Sequence, residues 1–266
     1  MMVTNNQPCI VVDCHVHLHD PASFGFLLNR ARSNFAHCCH RTAQGVLLLA
    51  GINSSPDFKA IGQEIEKSGS EAGWTLQSTS QAHGWKAIAR DGSLLWLITG
   101  RQLVSAEGLE VLVFGFEEVK NGMKIRGILT KVHAAQGLAI LPWGVGKWLG
   151  GRGKIVSRLL EETPPGRIIL GDNGGRPTLW AHVAQFSQAK NLKIPILRGT
   201  DSLPLKGEID RVGSFGTIMR GIIDPEFPVS SFISLFNDPA LAMDDFGSSM
   251  DFIKFLKNQI LLRLRS

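Results

Sequence analysis

The chain is 266 residues long, 44% apolar and 19% charged, with a formal net charge of +5. This composition supports a sizeable buried core and excludes a disordered or low-complexity scaffold. No apolar run approaches the roughly 20 residues that a spanning helix needs, and Lys and Arg are scattered rather than gathered into a basic stripe, so neither membrane nor nucleic acid is an expected partner.

Residues 1–8 lack the basic-then-apolar order of a secretory leader, which predicts a cytoplasmic protein. Residues 9–13 form an apolar, β-branched run that predicts a strand buried on both faces. Helical spacing follows at 24–41, a second buried strand at 45–50, and a short helix at 58–67 closed by Gly69. Between 74 and 115, short runs at 74–78, 85–89, 94–99 and 109–114, with a turn at Arg90-Asp91-Gly92, predict hairpins and an antiparallel excursion. Helix returns at 124–136, strand at 138–142, helix at 154–162, strand at 167–170, helix at 179–190 and strand at 194–197. The final segment, 251–264, is amphipathic and is expected to pack on the body through Phe252, Phe255, Leu256 and Ile260, with a homo-oligomer interface as the alternative. No repeat or linker interrupts the chain, so one domain over residues 1–266 is expected. The recurring order of strand, Gly-rich loop and helix predicts a parallel sheet covered by helices, wound as an open sheet or a barrel.

The four cysteines suggest no disulfide framework, since Cys9 and Cys14 share one strand region and Cys38 and Cys39 are adjacent. A zinc knot from His37, Cys38, Cys39 and His40 fails for the same reason: adjacent ligands cannot close a tetrahedron alone.

Asp13-Cys14-His15-Val16-His17 stands at the C-terminal end of the first buried strand. Alternation along extended backbone sends His15 and His17 to one side, as the first two ligands of a divalent ion require. In a parallel α/β barrel that strand end belongs to the functional mouth. Asp201, after the strand at 194–197, supplies a carboxylate to the same mouth and completes a His-His-Asp set; its plainer role is a helix cap or turn residue before Pro204. Three loops combine glycine with positive charge: 144–154 with Lys147 and Arg152, 171–176 with Asn173 and Arg176, and 211–214. Glycine lets backbone N–H groups approach a ligand and guanidinium groups grip phosphate or carboxylate, so a small anionic or phosphorylated ligand is expected there. The phosphate-cradling P-loop pattern, the dinucleotide fingerprint and the Gly-x-Ser-x-Gly elbow are all missing.

With these residues in place, the chain resembles the PHP (polymerase and histidinol phosphatase) family. Asp13-x-His15-x-His17 matches its opening motif. Residues 100–104 followed by 108–112 resemble the segment that carries a bridging glutamate, residues 134–142 the passage to its His-Pro, and Gly199-Thr200-Asp201 its closing motif. The resemblance implies an α/β fold, a distorted (β/α)7 TIM-like barrel, and metal-dependent hydrolysis of phosphate esters. It also implies losses: the bridging glutamate becomes Gln102, the His after Pro142 becomes Trp143, the last His becomes Leu203, and the motif after the second strand reads Gly51-Ile52-Asn53. Indole and isobutyl groups cannot ligate, and an amide is a poor bridge between cations. What survives is His15, His17 and Asp201, enough for a single ion (Zn, Mn or Fe). Gln102, Trp143, Lys147, Arg152, Asn173 and Arg176 are then expected around the substrate. The alternative is a catalytically degenerate barrel that binds an anionic ligand or partner without hydrolysis, Trp143 stacking where a metal once sat. The wider amidohydrolase barrels open similarly, but their further strand-end ligands have only His133 as a candidate, and it falls in a predicted helix.

Overall fold

A computed structural model of the chain describes residues 8–38, 43–52, 62–164, 166–180 and 182–264. Its first strand, β1 (Cys9–Val16), leads into helix α1 (Phe24–Cys38), β2 (Gln44–Ile52) and α2 (Gly62–Glu71). Strands β3 (Trp74–Ser78), β4 (Gly84–Ala89), β5 (Leu94–Val104) and β6 (Glu110–Phe114) follow without an intervening helix. Next come α3 (Ile125–Ala134), β7 (Leu138–Pro142), α4 (Gly151–Glu162), β8 (Ile169–Asn173), α5 (Ala184–Asn191) and β9 (Ile196–Gly199). The chain ends with β10 (Gly216–Arg220), α6 (Pro228–Ser234), β11 (Met243–Phe246) and α7 (Phe252–Arg263).

Nine strands hydrogen-bond in the order β11-β10-β1-β2-β5-β6-β7-β8-β9, and β3 and β4 branch from β5. β1, β2 and β5 run parallel, as do β7, β8 and β9, while β6 and β10 run antiparallel to their neighbours. The sheet curls until β9 meets β1 and β10: just past β9 the Asp201 N–H donates to the His15 carbonyl of β1 at 2.8 Å, and the Arg198 N–H of β9 donates to Thr217 Oγ1 of β10 at 3.0 Å. Gly199 allows this approach, because a Cβ there would stand 2.4 Å from the His15 nitrogen. The result is mixed α/β with a nearly closed barrel-like sheet. It has more strands than the seven expected: β10 and β11 are short and polar at their edges, and their residues carry too little periodicity to announce strands.

The core divides by sheet face. Inside the barrel lie Ile10, Val12, Cys14, Leu48, Ile98, Phe114 and Ile169, closed at one end by Val229, Phe232 and Phe236 from α6 and the turn after it. Outside, α3, α4 and α5 cover β6–β8, whereas α1, α2 and the β3–β4 hairpin cover β1, β2 and β5. Helices α1 and α4 match their expected positions within a few residues. Two expectations need correction. The short second helix runs past Gly69 to Glu71. In α7 only Phe255 of the four expected contacts is buried, beside Asn258; Phe252, Leu256 and Ile260 are exposed. The helix is rotated because Glu208, itself buried, takes the Asn258 amide at 3.2 Å and Lys254 Nζ at 3.2 Å. Asn53, Cys39 and His40 lie outside the described residues, among which Cys14 and Cys38 are free thiols. No described helix is long and apolar enough to cross a membrane.

Candidate metal centre

Strand β1 carries the first two ligands, and its geometry is less simple than alternation suggests. Its register against β2 slips between Asp13 and Val16, three steps on β1 against two on β2. A bulge of this kind re-aims side chains. Cys14 therefore packs in the barrel interior while His15 also turns toward it, and His17 follows just past the strand end. The two Nε2 atoms stand 3.0 Å apart. Asp201 Oδ1 lies 3.5 Å from His15 Nε2 and 3.3 Å from His17 Nε2. Donor atoms around a tetrahedral ion, each about 2.0–2.1 Å from it, are about 3.3 Å apart. His15, His17 and Asp201 thus form a cluster that could hold a metal ion.

The surroundings orient this cluster as ligands require. His17 Nδ1 donates to the Ala50 carbonyl at 2.6 Å, which turns its Nε2 toward Asp201 and His15. Asn173, at the end of β8, donates its amide to Asp201 Oδ2 and accepts the Gly175 N–H at 2.6 Å. Asp201 has φ +45°, in the left-handed region that few non-glycine residues adopt. Gln102 Oε1 lies 3.0 Å from His15 Nε2. Its place on the interior face follows from the β5 parity that also turns Ile98 inward.

Charges complete the picture. Burial pulls the Asp201 carboxyl up, but His15, His17 and Asn173 together hold it far below the ordinary carboxylate range. Burial also dominates at His15 and lowers its pKa. At His17 burial is outweighed by the Asp201 hydrogen bond and charge and by the Ala50 carbonyl, so its pKa is raised. The cluster is an anion facing two imidazoles of unequal basicity.

Asp13, two residues before His15, points away from the cluster and is fully buried. It receives the Thr200 N–H (2.9 Å), the Thr200 hydroxyl (2.6 Å), the Gly213 N–H (2.9 Å) and the His15 N–H (3.3 Å). It fastens β1 to the loop that carries Asp201.

The remaining expected residues scatter. A cavity of about 260 Å³ opens beside Asp201, walled by Trp143, Lys147, Asn173, Leu203 and Arg211 and roofed by α7 through Phe255, Asn258 and Leu262. Lys147 Nζ pairs with Glu110 at its edge. Arg152 does not line this cavity; its guanidinium donates to the carbonyls of Gly146 (3.0 Å) and Gly108 (3.4 Å). Arg176 is buried away from it, bidentate on Asp172 at 2.7 and 2.8 Å and bonded to the Trp180 carbonyl at 2.7 Å. His133 is exposed on α3. Reasoning from sequence overlooked Glu110, whose charge reaches both His15 and His17. Its signal was two-residue parity, since it shares a strand face with Leu112, which pairs with Gln102. Arg211, from the expected 211–214 loop, does wall the mouth, whereas the place of α7 over it was not expected.

No family model matches the chain, and no curated protein matches it significantly. Solved structures do share its fold. The chain is similar to PsfC from Pseudomonas syringae PB-5123, at 12% identity and a TM-score of 0.55, over 97% of this chain and 98% of that one. It is also similar to PfuEndoQ, a lesion-specific endonuclease from Pyrococcus furiosus, at 11% identity and a TM-score of 0.50, over 88% of this chain. It spans 57% of that endonuclease. At such identities the likeness concerns the fold alone. It corrects one expectation: scattered positive charge does not exclude nucleic acid for this architecture, because the endonuclease uses a similar fold. The near-closed barrel and the likeness to the endonuclease together fit a PHP-like fold.

Proposed function

We propose that the chain is a metal-dependent, phosphoesterase-like hydrolase, built on one PHP-like barrel domain over residues 1–266, with a single divalent ion (Zn, Mn or Fe) held by His15, His17 and Asp201. The observation that carries this reading is the convergence of two Nε2 atoms and a carboxylate oxygen within 3.5 Å, with His17 fixed from behind by Ala50. When bound, the ion supplies a Lewis acid for a phosphoryl oxygen. Gln102 sets its amide beside His15 and Asn173 restrains Asp201. Lys147, on the mouth cavity, brings positive charge toward a phosphoryl group, tempered by Glu110.

A catalytically degenerate barrel is the second reading, and it rests on Trp143 and Leu203, which wall the cavity with groups unable to ligate. Elemental analysis of protein purified without chelator separates the two. We expect close to one ion per chain, lost in His17→Ala and Asp201→Asn, together with metal-dependent turnover of p-nitrophenyl phosphate or its diester. No metal, no stabilisation by Mn²⁺ or Zn²⁺, and stabilisation by small anions alone would establish the degenerate reading.

A further inference from the structure

A second, larger cavity of about 650 Å³ lies between α4 and α5 and the loops that precede them. Three indoles line it: Trp143, Trp148 and Trp180. Trp143 and Trp148 are almost fully covered and form a floor, braced edge-on by Trp180 (5.6 Å) and Phe186 (5.8 Å), while Trp180 is half-buried and keeps open surface. On one wall Lys154 and Arg158 stand one turn apart on α4, both exposed, and His182 faces them from the other wall. Among the described residues neither the Lys154 ammonium nor the Arg158 guanidinium has an ion-pair or hydrogen-bond partner, in contrast to Arg152 and Arg176, whose guanidinium groups are occupied internally. The wall's acid, Glu161, is engaged by Gln188 at 3.1 Å.

Position gives this groove its meaning. Trp143 and Gly144 line both it and the smaller cavity that holds Asp201. One indole thus separates the metal centre from a space large enough for a whole nucleotide. Trp180, with open surface above that floor, offers a flat apolar ring a stacking surface of low desolvation cost, and the two rim cations, unpartnered among the described residues, attract a phosphate attached to that ring. Together the two features favour a phosphorylated aromatic ring over inorganic phosphate or an aliphatic ester.

We propose that this groove is the subsite for a nucleotide unit, either a free mononucleotide or one residue of a single strand, whose scissile phosphoester reaches over Trp143 to the mouth at Asp201. The proposal rests on the hydrolase reading for that last step, but binding in the groove does not depend on the metal.

The test is titration of the full-length protein with 5′-AMP, ribose 5-phosphate and a single-stranded (dT)12, followed by tryptophan fluorescence. It is run on wild type, on Lys154→Glu/Arg158→Glu and on Asp201→Asn, with metal content measured on each. We expect 5′-AMP or (dT)12 to quench fluorescence saturably and to bind at least about tenfold more weakly to the double variant. Metal content should stay unchanged there, and quenching should persist in Asp201→Asn. Much tighter binding of (dT)12 than of 5′-AMP identifies a strand as the source, and equal binding a free nucleotide. The proposal is overturned if neither probe binds wild type, if the double variant binds as wild type does, or if ribose 5-phosphate binds as tightly as 5′-AMP. Loss of metal from wild type with groove binding intact would overturn the hydrolase reading alone.

Discussion

Replacing Asp13 by Asn tests how a buried carboxylate is balanced inside this barrel. Burial pushes the Asp13 carboxyl up to about 6, and the four donors from Thr200, Gly213 and His15 only limit the rise. Its pKa in the fold therefore exceeds the ordinary value of 3.8, so between the two the folded chain holds a proton that the unfolded chain has released. Stability from this group is present below the unfolded value and is lost as pH rises through the folded one. A rise of about two units corresponds to roughly 3 kcal/mol. Asn does not titrate, but its amide must face at least one donor. The least costly orientation sets it toward the Thr200 hydroxyl, which can rotate to accept, and the Gly213 N–H, which cannot. That unpaired N–H costs about 1–3 kcal/mol at every pH. Asp13→Asn should thus be less stable than wild type near pH 4 and approach or pass it by pH 7. Urea unfolding of both proteins across this range, with chelator present throughout, gives the difference directly, since all other titrations cancel. A difference that does not vary with pH would refute the argument. Growth of the wild-type advantage with pH would show that the four donors, rather than burial, govern the carboxylate.

Two further outcomes follow from the site and its roof. Gln102→Glu places a charged ligand where the neutral amide oxygen now lies 3.0 Å from His15 Nε2; competition against a chromogenic chelator should show metal affinity at least about tenfold higher, and unchanged affinity would remove Gln102 from the cluster. Burial raises Glu208, but Arg211, Asn258 and Lys254 outweigh it and hold its carboxyl below the ordinary range. Its stabilising hold on α7 is therefore present above that range and is lost as pH falls through the folded value. Hydrogen exchange, corrected for intrinsic rates, should show α7 loosening on acidification in wild type and already loose at neutral pH in Glu208→Gln. Full protection of α7 in that variant would sink this account.

The strands that carry the site were legible because burial on both faces leaves long apolar runs. Residues 9–13 and 138–142 announced β1 and β7 in this way, and the histidines at the first strand end pointed to the mouth. Convergence of His15, His17 and Asp201 was readable as an arrangement of strand ends. The bulge that turns His15 inward was not, because register depends on the neighbouring strand. The charged loops misled for a related reason. Arg152 and Arg176 look alike in sequence, yet one secures loop carbonyls and the other is buried on Asp172. A guanidinium's function depends on whether a partner four residues away folds back onto it.

By itself the sequence determined the alternation of buried strand and helix, the two-histidine motif at the first strand end, and the non-ligating side chains of Trp143 and Leu203. These depend on residue type and local spacing. Tertiary structure alone decided which charges remain free among the described residues, that Asp13 is a fastener rather than a ligand, that α7 roofs the mouth through Asn258 and Glu208, and that Trp180 joins Trp143 and Trp148 on one groove. The last three rest on contacts between segments distant in sequence, and the fastening by Asp13 needs the curl of the sheet that brings β9 against β1.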